Sequence, residues 1–321
     1  MKSLRFLLLL GVLLVLFGCG PTAKPQLKSG YTVVDVRGKT VTLPQEPRRI
    51  VTDSLHLDET LLTLVPAERL AAAYYLDGEP GVSFISEETK GVTPRLRDYT
   101  PEAVAGVQPD LFLASTWSDP GLIAKVEELG IPVVVCYGPS TLGQVEDNVR
   151  LMAKALRQEE TGEKVVRQLE AQLTEIDRVV AQEPQPRPVG FLVSLMSRYG
   201  GTGSLYDQLT KRAGFRNGLA EAGLKNGDTL TPEAVLRADP DFFLVAQPYP
   251  EEQQDYAAIR QQFFANPAYQ ELRGLKHLVA LPDRYVYDAS PQLVYGIKAM
   301  ANAAFGRKLF VWDKEPLLKG Y

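Results

Sequence analysis

Side chains that commonly catalyse reactions or bind metals are scarce in this sequence. Histidine occurs only as His56 and His277, and cysteine only as Cys19 and Cys136. A metal site built from three histidine ligands is therefore excluded by counting. The sequence has no Gly-x-Ser-x-Gly motif, so the two histidines offer little basis for a serine hydrolase triad. Cys136 ends an apolar run, which indicates a buried hydrophobic side chain.

Two segments admit a chemical interpretation beside a structural one. Asp58 and Glu59 follow closely after His56, so this segment is either a metal site or the start of a helix. The glycine-rich residues 200–204 come between a predicted strand and a predicted helix, as phosphate-binding loops do. They lack the Lys-Ser/Thr pair of a Walker motif, and a tight turn requires the same glycines. We therefore expect a protein that is not an enzyme and carries no cofactor.

The first residues have the pattern of a bacterial export signal. Residues 1–18 carry Lys2 and Arg5 and then an apolar run that is short for a transmembrane helix. A small residue, Gly18, directly precedes Cys19, as in a lipobox, which predicts that Cys19 is lipidated. A plain signal peptide with an incidental cysteine is the alternative. Residues 19–30 then form the lipidated cysteine and a flexible tether.

Composition limits the classes of partner. The chain has 321 residues, a formal net charge of −4, and 45% hydrophobic and 23% charged residues, which is typical of a globular protein with room for two domains. The charge becomes about −6 without residues 1–18, because their only ionisable side chains are those of Lys2 and Arg5. This charge argues against a nucleic-acid partner.

One short pattern occurs twice. Residues 100–104 and 231–235 both read Thr-Pro-Glu-Ala-Val, and each copy is followed by Pro-Asp and an apolar run, at residues 109–113 and 240–244. Thr is a good N-cap, Pro suits the first helical position, and Glu favours the helix N-terminus. Each copy therefore predicts a short helix followed by a buried strand. The repetition predicts two similar lobes.

The other elements alternate between strands and helices, which predicts mostly parallel sheets. A long helical region covers residues 144–182, and Thr161-Gly162 is where we expect it to break. Short strands are predicted at residues 279–281 and 285–287. The fold class is therefore α/β, with two similar three-layer lobes whose mostly parallel central sheets are joined by one long rigid helix.

The order of several motifs resembles that of a known family. They are Asp-Val-Arg-Gly-Lys-Thr-Val-Thr-Leu-Pro at residues 35–44, Arg-Arg-Ile-Val at 48–51, Leu-Gly-Ile-Pro-Val at 129–133, Ala-Gly-Phe at 213–215 with Asn217, and the two Pro-Asp pairs. The chain thus resembles the substrate-binding lipoproteins of ABC importers for ferric siderophores, haem and vitamin B12. The resemblance implies a signal peptide (1–18), a tether (19–30), an N-terminal lobe (31–157), an interlobe helix (158–183) and a C-terminal lobe (184–321).

The resemblance also implies partners. In proteins like this, one acidic residue on each lobe docks against basic residues of a permease dimer, which works with ATPase subunits. Glu102 and Glu233 match these positions, although both could merely be glutamates at helix starts. The protein would act as a monomer, exported and lipid-anchored to the outer face of the cytoplasmic membrane, or on the periplasmic side in a Gram-negative cell.

The ligand of such a receptor would be an iron–siderophore or cobalamin-type chelate, held between the lobes at the C-terminal ends of the strands. Aromatic side chains there would pack on a flat ligand, and Arg could pair with carboxylate or catecholate oxygen. The candidate residues are Ser54, His56, Tyr74, Tyr75, Trp117, Ser118 and Tyr137 on the first lobe, and Met196, Arg198, Tyr199, Gln247, Tyr249 and Ser290 on the second.

Other functions stay open at this point. Haem is an alternative ligand, with His56, Tyr74 or Tyr75 as candidate axial ligands, although direct metal ligation by His56 is the less favoured reading. A surface or sensory lipoprotein without a transporter is a second alternative. A component of a divalent-metal importer is disfavoured by the two histidines.

Overall fold

The structure is a computed structural model that describes residues 30–194, 196, 198–247 and 253–321. The predicted export signal, Cys19, most of the tether and Tyr249 lie outside these residues. The N-terminal lobe contains β1 (Tyr31–Val34), β2 (Thr40–Leu43), β3 (Ile50–Thr52), α1 (Leu55–Leu64), β4 (Ala73–Tyr74), β5 (Arg95–Leu96), α2 (Pro101–Gly106), β6 (Leu111–Ser115), α3 (Pro120–Glu128), β7 (Val133–Cys136) and α4 (Leu142–Leu156).

The N-terminal lobe has three layers. Its central sheet is parallel, in the order β3-β6-β7. Every residue of β6 is buried, as expected for a strand that is covered on both faces. On one face α1 and α4 cover Ile50, Leu111 and Leu113, and on the other α2 and α3 cover Phe112 and Val133.

The C-terminal lobe repeats this arrangement. Its parallel sheet has the order β11-β10-β8-β9, with α6 and α11 packed together beside α5 and with α7 and α8 against β8. The elements are α5 (Glu159–Val180), β8 (Val189–Val193), α6 (Leu205–Ala213), β9 (Arg216–Asn217), α7 (Gly218–Glu221), α8 (Pro232–Ala238), β10 (Phe242–Gln247), α9 (Gln253–Phe264), β11 (Leu278–Pro282), α10 (Arg284–Tyr287) and α11 (Leu293–Phe305). The predicted two-lobed α/β fold is confirmed.

The sequence repeat has a mechanical role in both lobes. Thr100 caps α2 by accepting a hydrogen bond from the N–H of Ala103, and Thr231 caps α8 in the same way. The aspartate of each Pro-Asp pair then holds the first strand of its lobe's parallel sheet, β3 or β8, by accepting backbone hydrogen bonds. Asp110 accepts hydrogen bonds from the N–H groups of Arg48 and Arg49, at 2.7 and 2.9 Å. Asp241 accepts one from the N–H of Val189 at 2.8 Å.

Helix α5 connects the lobes through one continuous core. Its buried side chains, among them Val165, Leu169 and Ile176, pack against α1 and α4 at its start and against α6 and α11 towards its end. The break predicted at Thr161-Gly162 is wrong. The chain turns instead at Arg157, which has a left-handed conformation with φ 55°. Gly162 lies inside α5, where a Cβ would be 2.5 Å from the Cβ of Ala153, so this glycine allows α4 and α5 to approach closely.

The strand predicted at residues 285–287 is also wrong, because these residues belong to α10. The carbonyl of Asp283 accepts hydrogen bonds from the N–H groups of Val286 and Tyr287, both at 2.9 Å. This local turn overrides the alternating Tyr-Val-Tyr pattern that favoured a strand.

Two further contacts join the lobes beside α5. The Arg284 side chain donates to the carbonyl of Pro80 at 2.7 Å, and its backbone N–H donates to Gly81 at 3.1 Å. The C-terminal tail (residues 315–321) returns to the first lobe, where the N–H of Gly320 donates to Thr63 at 3.0 Å. The lobes are therefore connected at several places besides α5.

Candidate functional site

A cavity of about 310 Å³ lies between the lobes. It is bordered by segments that directly follow β3, β6, β8 and β11, so both sheets point the C-terminal ends of their strands at it. This is where open parallel sheets bind ligands. Its lining residues are Ser54, Leu55, His56, Glu59, Tyr74, Leu76, Val82, Trp117, Met196, Asp283, Tyr287, Asp288 and Ala289.

A second cavity of about 260 Å³ adjoins the first. The two share Trp117, Met196, Tyr287 and Ala289 as walls, so the same four side chains face both spaces. The second cavity is also lined by Pro139, Ser140, Tyr199, Ser204, Leu205 and Asn226. We call the two adjoining cavities together the interlobe cleft.

The start of α1 supplies polar groups to the cleft. His56 and Glu59 are three residues apart and therefore lie on one face of the helix. His56 is only 6% exposed, and burial lowers its pKa to about 4, opposed by a hydrogen bond with the backbone of Tyr137. The imidazole is therefore neutral at physiological pH. Its Nε2 and the Ser54 Oγ are buried without a hydrogen-bond partner among the described residues.

Trp117 forms the wall between the two cavities. Its ring meets His56 edge-on at 5.0 Å, yet the residue is 62% exposed. Gly138 lies against the indole, because a Cβ at this position would be 2.3 Å from its Cδ2. A large aromatic surface is thus held in place at the cleft and left open to a ligand.

Aromatic residues also line the second lobe's side. The rings of Tyr199 and Tyr287 are 5.6 Å apart, and the Tyr287 hydroxyl hydrogen bonds to the Ser194 hydroxyl at 2.5 Å. Met196 is 46% exposed at the mouth. These side chains offer aromatic faces and a polarisable thioether, which suit a bulky organic ligand.

A pair of carboxyl groups from different lobes meets beside His56. Glu59 accepts a hydrogen bond from the N–H of Phe84 at 2.8 Å, and Asp288 accepts from the N–H and the hydroxyl of Ser290 at 2.7 and 3.1 Å. Glu59 and Asp288 also face each other within hydrogen-bonding reach. Burial, followed by repulsion from Asp288, raises the pKa of Glu59 well above its usual value, and burial raises the pKa of Asp288 to about 6.

A second group of carboxyls lies behind the cleft, under β4. Asp58 accepts hydrogen bonds from the Thr52 hydroxyl at 2.9 Å and from the Tyr74 N–H at 2.9 Å. The Tyr74 N–H is also within 3.1 Å of Asp77. Burial raises the pKa of Asp58 to about 6 and that of Asp77 well above its usual value. These bonds orient the segment that carries Tyr74, so this group has a structural role.

The structure places six of the predicted ligand residues on the walls of the cleft. Ser54, His56, Tyr74 and Trp117 lie on the first lobe, and Met196 and Tyr199 lie on the second. Binding by these residues stays a prediction. Arg198 lines neither cavity but lies in a small pocket with Lys225 and Asp228, which adjoins the cleft at Met196 and Tyr199.

The other predicted side chains point elsewhere. Tyr75 lies under the Arg97 guanidinium at 4.5 Å. The Ser118 hydroxyl accepts from the N–H of Ser115, and the backbone of Tyr137 is bonded to Asn148. Gln247 is an exposed strand end, and Ser290 is fully buried beneath Asp288. None of these five side chains lines either cavity.

Sequence reasoning missed Tyr287, Asp288 and Ala289, which all line the cleft. It predicted a strand at residues 285–287, and in the segment between α10 and α11 it named only Ser290. The sequence pattern indicated Glu59 only as a neighbour of His56. The three-residue spacing of His56 and Glu59 was the available signal that both face one direction.

The two repeat glutamates are both exposed, at the starts of α2 and α8. The hydrogen bond with its own backbone N–H is the main cause that lowers the pKa of Glu233. In the part of the chain that the structure describes, no group of three or more His, Cys, Asp or Glu side chains could hold a metal ion. None of the described helices is both long and apolar enough to cross a membrane.

Comparison with known proteins agrees with this architecture. The model of the periplasmic binding protein family matches residues 77–285, and the chain belongs to this family. The probable siderophore-binding lipoprotein YfiY of Bacillus subtilis (strain 168) is 24% identical over 181 residues, which cover 54% of each chain. The chain thus spans about half the length of the curated relative that it matches.

Solved structures share the fold. The periplasmic haem-binding protein RhuT from Roseiflexus sp. RS-1 superposes with a TM-score of 0.69 at 21% identity, covering 80% of this chain and 99% of its own. The molybdate periplasmic binding protein MolA of Haemophilus influenzae, described as cognate to an ABC transporter, gives 0.70 at 16% identity, with 86% and 91% covered. The family expected from the sequence motifs is confirmed, and it consists of solute-binding proteins and not of enzymes.

Proposed function

We propose that this protein is the substrate-binding component of an ABC importer and captures an iron–siderophore or cobalamin-type chelate in the interlobe cleft. The observation that carries the proposal is the cleft itself. It lies at the strand ends of both lobes, and Tyr74, Trp117 and Tyr287 give it aromatic walls. A large organic chelate needs such an open, mostly apolar site with a few polar groups. The similarity to a siderophore-binding lipoprotein supports the same ligand class.

Haem is the second candidate, and one observation favours it. The Nε2 of His56 is unpartnered and belongs to a neutral imidazole at the cleft wall, which is the form that ligates iron. The similarity of the fold to haem-binding proteins is compatible with this candidate. The carboxylates of haem would find no Lys or Arg among the described residues that line the two cavities, and this counts against it.

A fluorescence titration tests the proposal. The soluble chain from residue 20 is titrated with ferric siderophores, cyanocobalamin and haem, with an inner-filter correction. Saturable quenching by one chelate at micromolar or lower concentration is expected, because Trp117 is exposed in the cleft. A Trp312→Phe variant removes the background of the second tryptophan, and Trp117→Phe should lose the signal. No response to any chelate, together with no heat in calorimetry, contradicts the proposal.

Haem is distinguished by its own absorption. A shift of the Soret band that is lost in His56→Ala and kept in His277→Ala would identify haem with His56 as its ligand. An unshifted band at saturating protein would leave the chelates as the ligand class.

Delivery to the permease is proposed to use Glu102 and Glu233. Both glutamates are exposed at matching places on the two lobes, which suits a two-point contact with a permease dimer. The double variant Glu102→Ala/Glu233→Ala should keep its ligand affinity and lose most uptake. The matched control is Glu159→Ala/Glu170→Ala, two exposed glutamates on α5. Equal uptake by both double variants would reject the docking role.

Lipidation of Cys19 completes the proposal. An anchored receptor stays close to its membrane partner, which raises its effective concentration there. Mass spectrometry of the protein from a bacterial membrane fraction should show a lipid on Cys19, and Cys19→Ala should release the protein from the membrane.

A further inference from the structure

The charged side chains that line the interlobe cleft among the described residues are all acidic. Glu59, Asp283 and Asp288 line the larger cavity, whereas no Lys or Arg is among the described residues that line either cavity. The residues that the structure leaves out after Gly30 are Leu195, Ser197 and residues 248–252, and their types include no basic residue. Arg198 and Lys225 line a smaller pocket of about 30 Å³, which adjoins the cleft at Met196 and Tyr199 and also contains Asp228.

Glu59 and Asp288 face each other from the two lobes. Glu59 is 1% exposed, and neither residue forms an ion pair with a Lys, Arg or His of the described chain. Each keeps its position through the hydrogen bonds from Phe84 and Ser290. Because two adjacent carboxyls do not both ionise easily, Glu59, whose pKa is raised well above its usual value, keeps its proton more readily, and Asp288, with a pKa of about 6, supplies the negative charge near neutral pH.

An unpartnered polar group lies next to this pair. His56 is only 6% exposed and lines the same cavity. Its Nε2 has no hydrogen-bond partner among the described residues. A buried polar atom in this state is expected to meet a ligand or a bound water, because an unpaired one is unfavourable. A negative carboxyl pair beside a neutral imidazole suits a donor-rich, positively charged group.

We propose that Glu59 and Asp288 form a subsite for a positively charged group of the ligand, such as a primary ammonium, so that the receptor prefers neutral or cationic chelates to polyanionic ones. This inference rests on the proposed function and specifies the class of chelate. The subsite spans both lobes, since Glu59 lies on α1 and Asp288 follows α10. An ammonium there makes charge-assisted hydrogen bonds to both carboxyls. A catecholate chelate with several negative charges would meet repulsion at the same place.

Two related probes test the charge preference. Ferrioxamine B is a linear ferric trihydroxamate with a free ammonium, and ferrioxamine E is its cyclic, neutral counterpart. Ferric enterobactin supplies a trianionic catecholate. Calorimetry should give tighter binding of ferrioxamine B than of ferrioxamine E, and the weakest binding for ferric enterobactin. Glu59→Gln and Asp288→Asn should each weaken ferrioxamine B about ten- to hundredfold, and ferrioxamine E much less.

Controls separate the possible results. Asp147→Asn, an exposed carboxylate on α4, should leave the ratio of the two affinities unchanged. If a cleft variant fails to fold, the wild-type ratio measured from low to high salt takes its place, and the preference for ferrioxamine B should shrink with salt. Equal losses for both ferrioxamines, a salt-independent ratio, or a larger effect of Arg198→Gln than of Glu59→Gln would overturn the inference while leaving the receptor function intact. Absence of binding to every chelate would overturn the proposed function and the inference with it.

Discussion

Buried carboxyls give individual residues of this protein an unusual influence on its pH dependence. Asp53 follows β3, and its carboxyl lies near Ser118. Burial raises its pKa from 3.8 to about 6. The folded state therefore holds this proton more tightly than the unfolded chain does. The stabilisation is complete below pH 3.8 and is lost as the pH rises through 6.

Replacement of Asp53 by Asn should therefore stabilise the protein at high pH. Asn has nearly the same shape as Asp and carries no charge to desolvate. We expect the free energy of unfolding to rise by about 1–3 kcal/mol at pH 8, with a gain that falls towards zero near pH 4. Urea denaturation at both pH values measures the difference, and Asp147→Asn should change neither. A gain of the same size at both values would show that ionisation is not the cause.

Some residues at the cleft were predictable because they closely follow a strand. Trp117 follows β6 and Met196 follows β8, so the order of elements was enough to bring them to one edge of a parallel sheet. Asp288 was not predictable in this way. It follows a short helix whose sequence alternates like a strand, and its partner Glu59 belongs to the other lobe. Such a pair depends on how the lobes meet, and no local pattern encodes that.

At the scale of elements, an aspartate in each lobe holds the first strand of the parallel sheet, β3 or β8, by hydrogen bonds. Asp110 receives two backbone N–H groups from Arg48 and Arg49. Asp110→Ala removes both hydrogen bonds to a charged acceptor and should lower the free energy of unfolding by about 2–3 kcal/mol. Asp98→Ala, at an exposed residue, should stay within about 0.5 kcal/mol. Chemical denaturation of the two variants side by side makes the comparison, and similar values would show that these hydrogen bonds have little effect.

The repeat was readable at this scale because capping and these hydrogen bonds to the strand are local. Thr, Pro and Asp act on backbone groups within a few residues or on the adjacent strand. The position of the helix break was not readable, since Gly162 serves the contact between α4 and α5. A glycine that permits close packing has the same letter as one that ends a helix, and only the neighbouring helix distinguishes them.

At the scale of the whole molecule, the C-terminal tail connects the second lobe to α1. A Cβ on Gly320 would lie 2.3 Å from the carbonyl oxygen of Thr161. Gly320→Ala should therefore displace the tail, break the hydrogen bond to Thr63, and lower stability by about 1–3 kcal/mol. Hydrogen exchange of residues 315–321 should increase at the same time. Gly106→Ala has open space around its Cβ and serves as the control. Unchanged exchange in the tail would contradict this role.

The connections between the lobes also have a kinetic consequence. Opening the cleft by moving the lobes apart would expose the continuous core around α5, pull Arg284 from Pro80 and detach the tail from Thr63. We therefore expect opening of the whole cleft to be rare. We expect a bound ligand to leave through local motions at the rim, such as rotation of Trp117 or Met196. Faster release would then require a partner that moves the two walls apart.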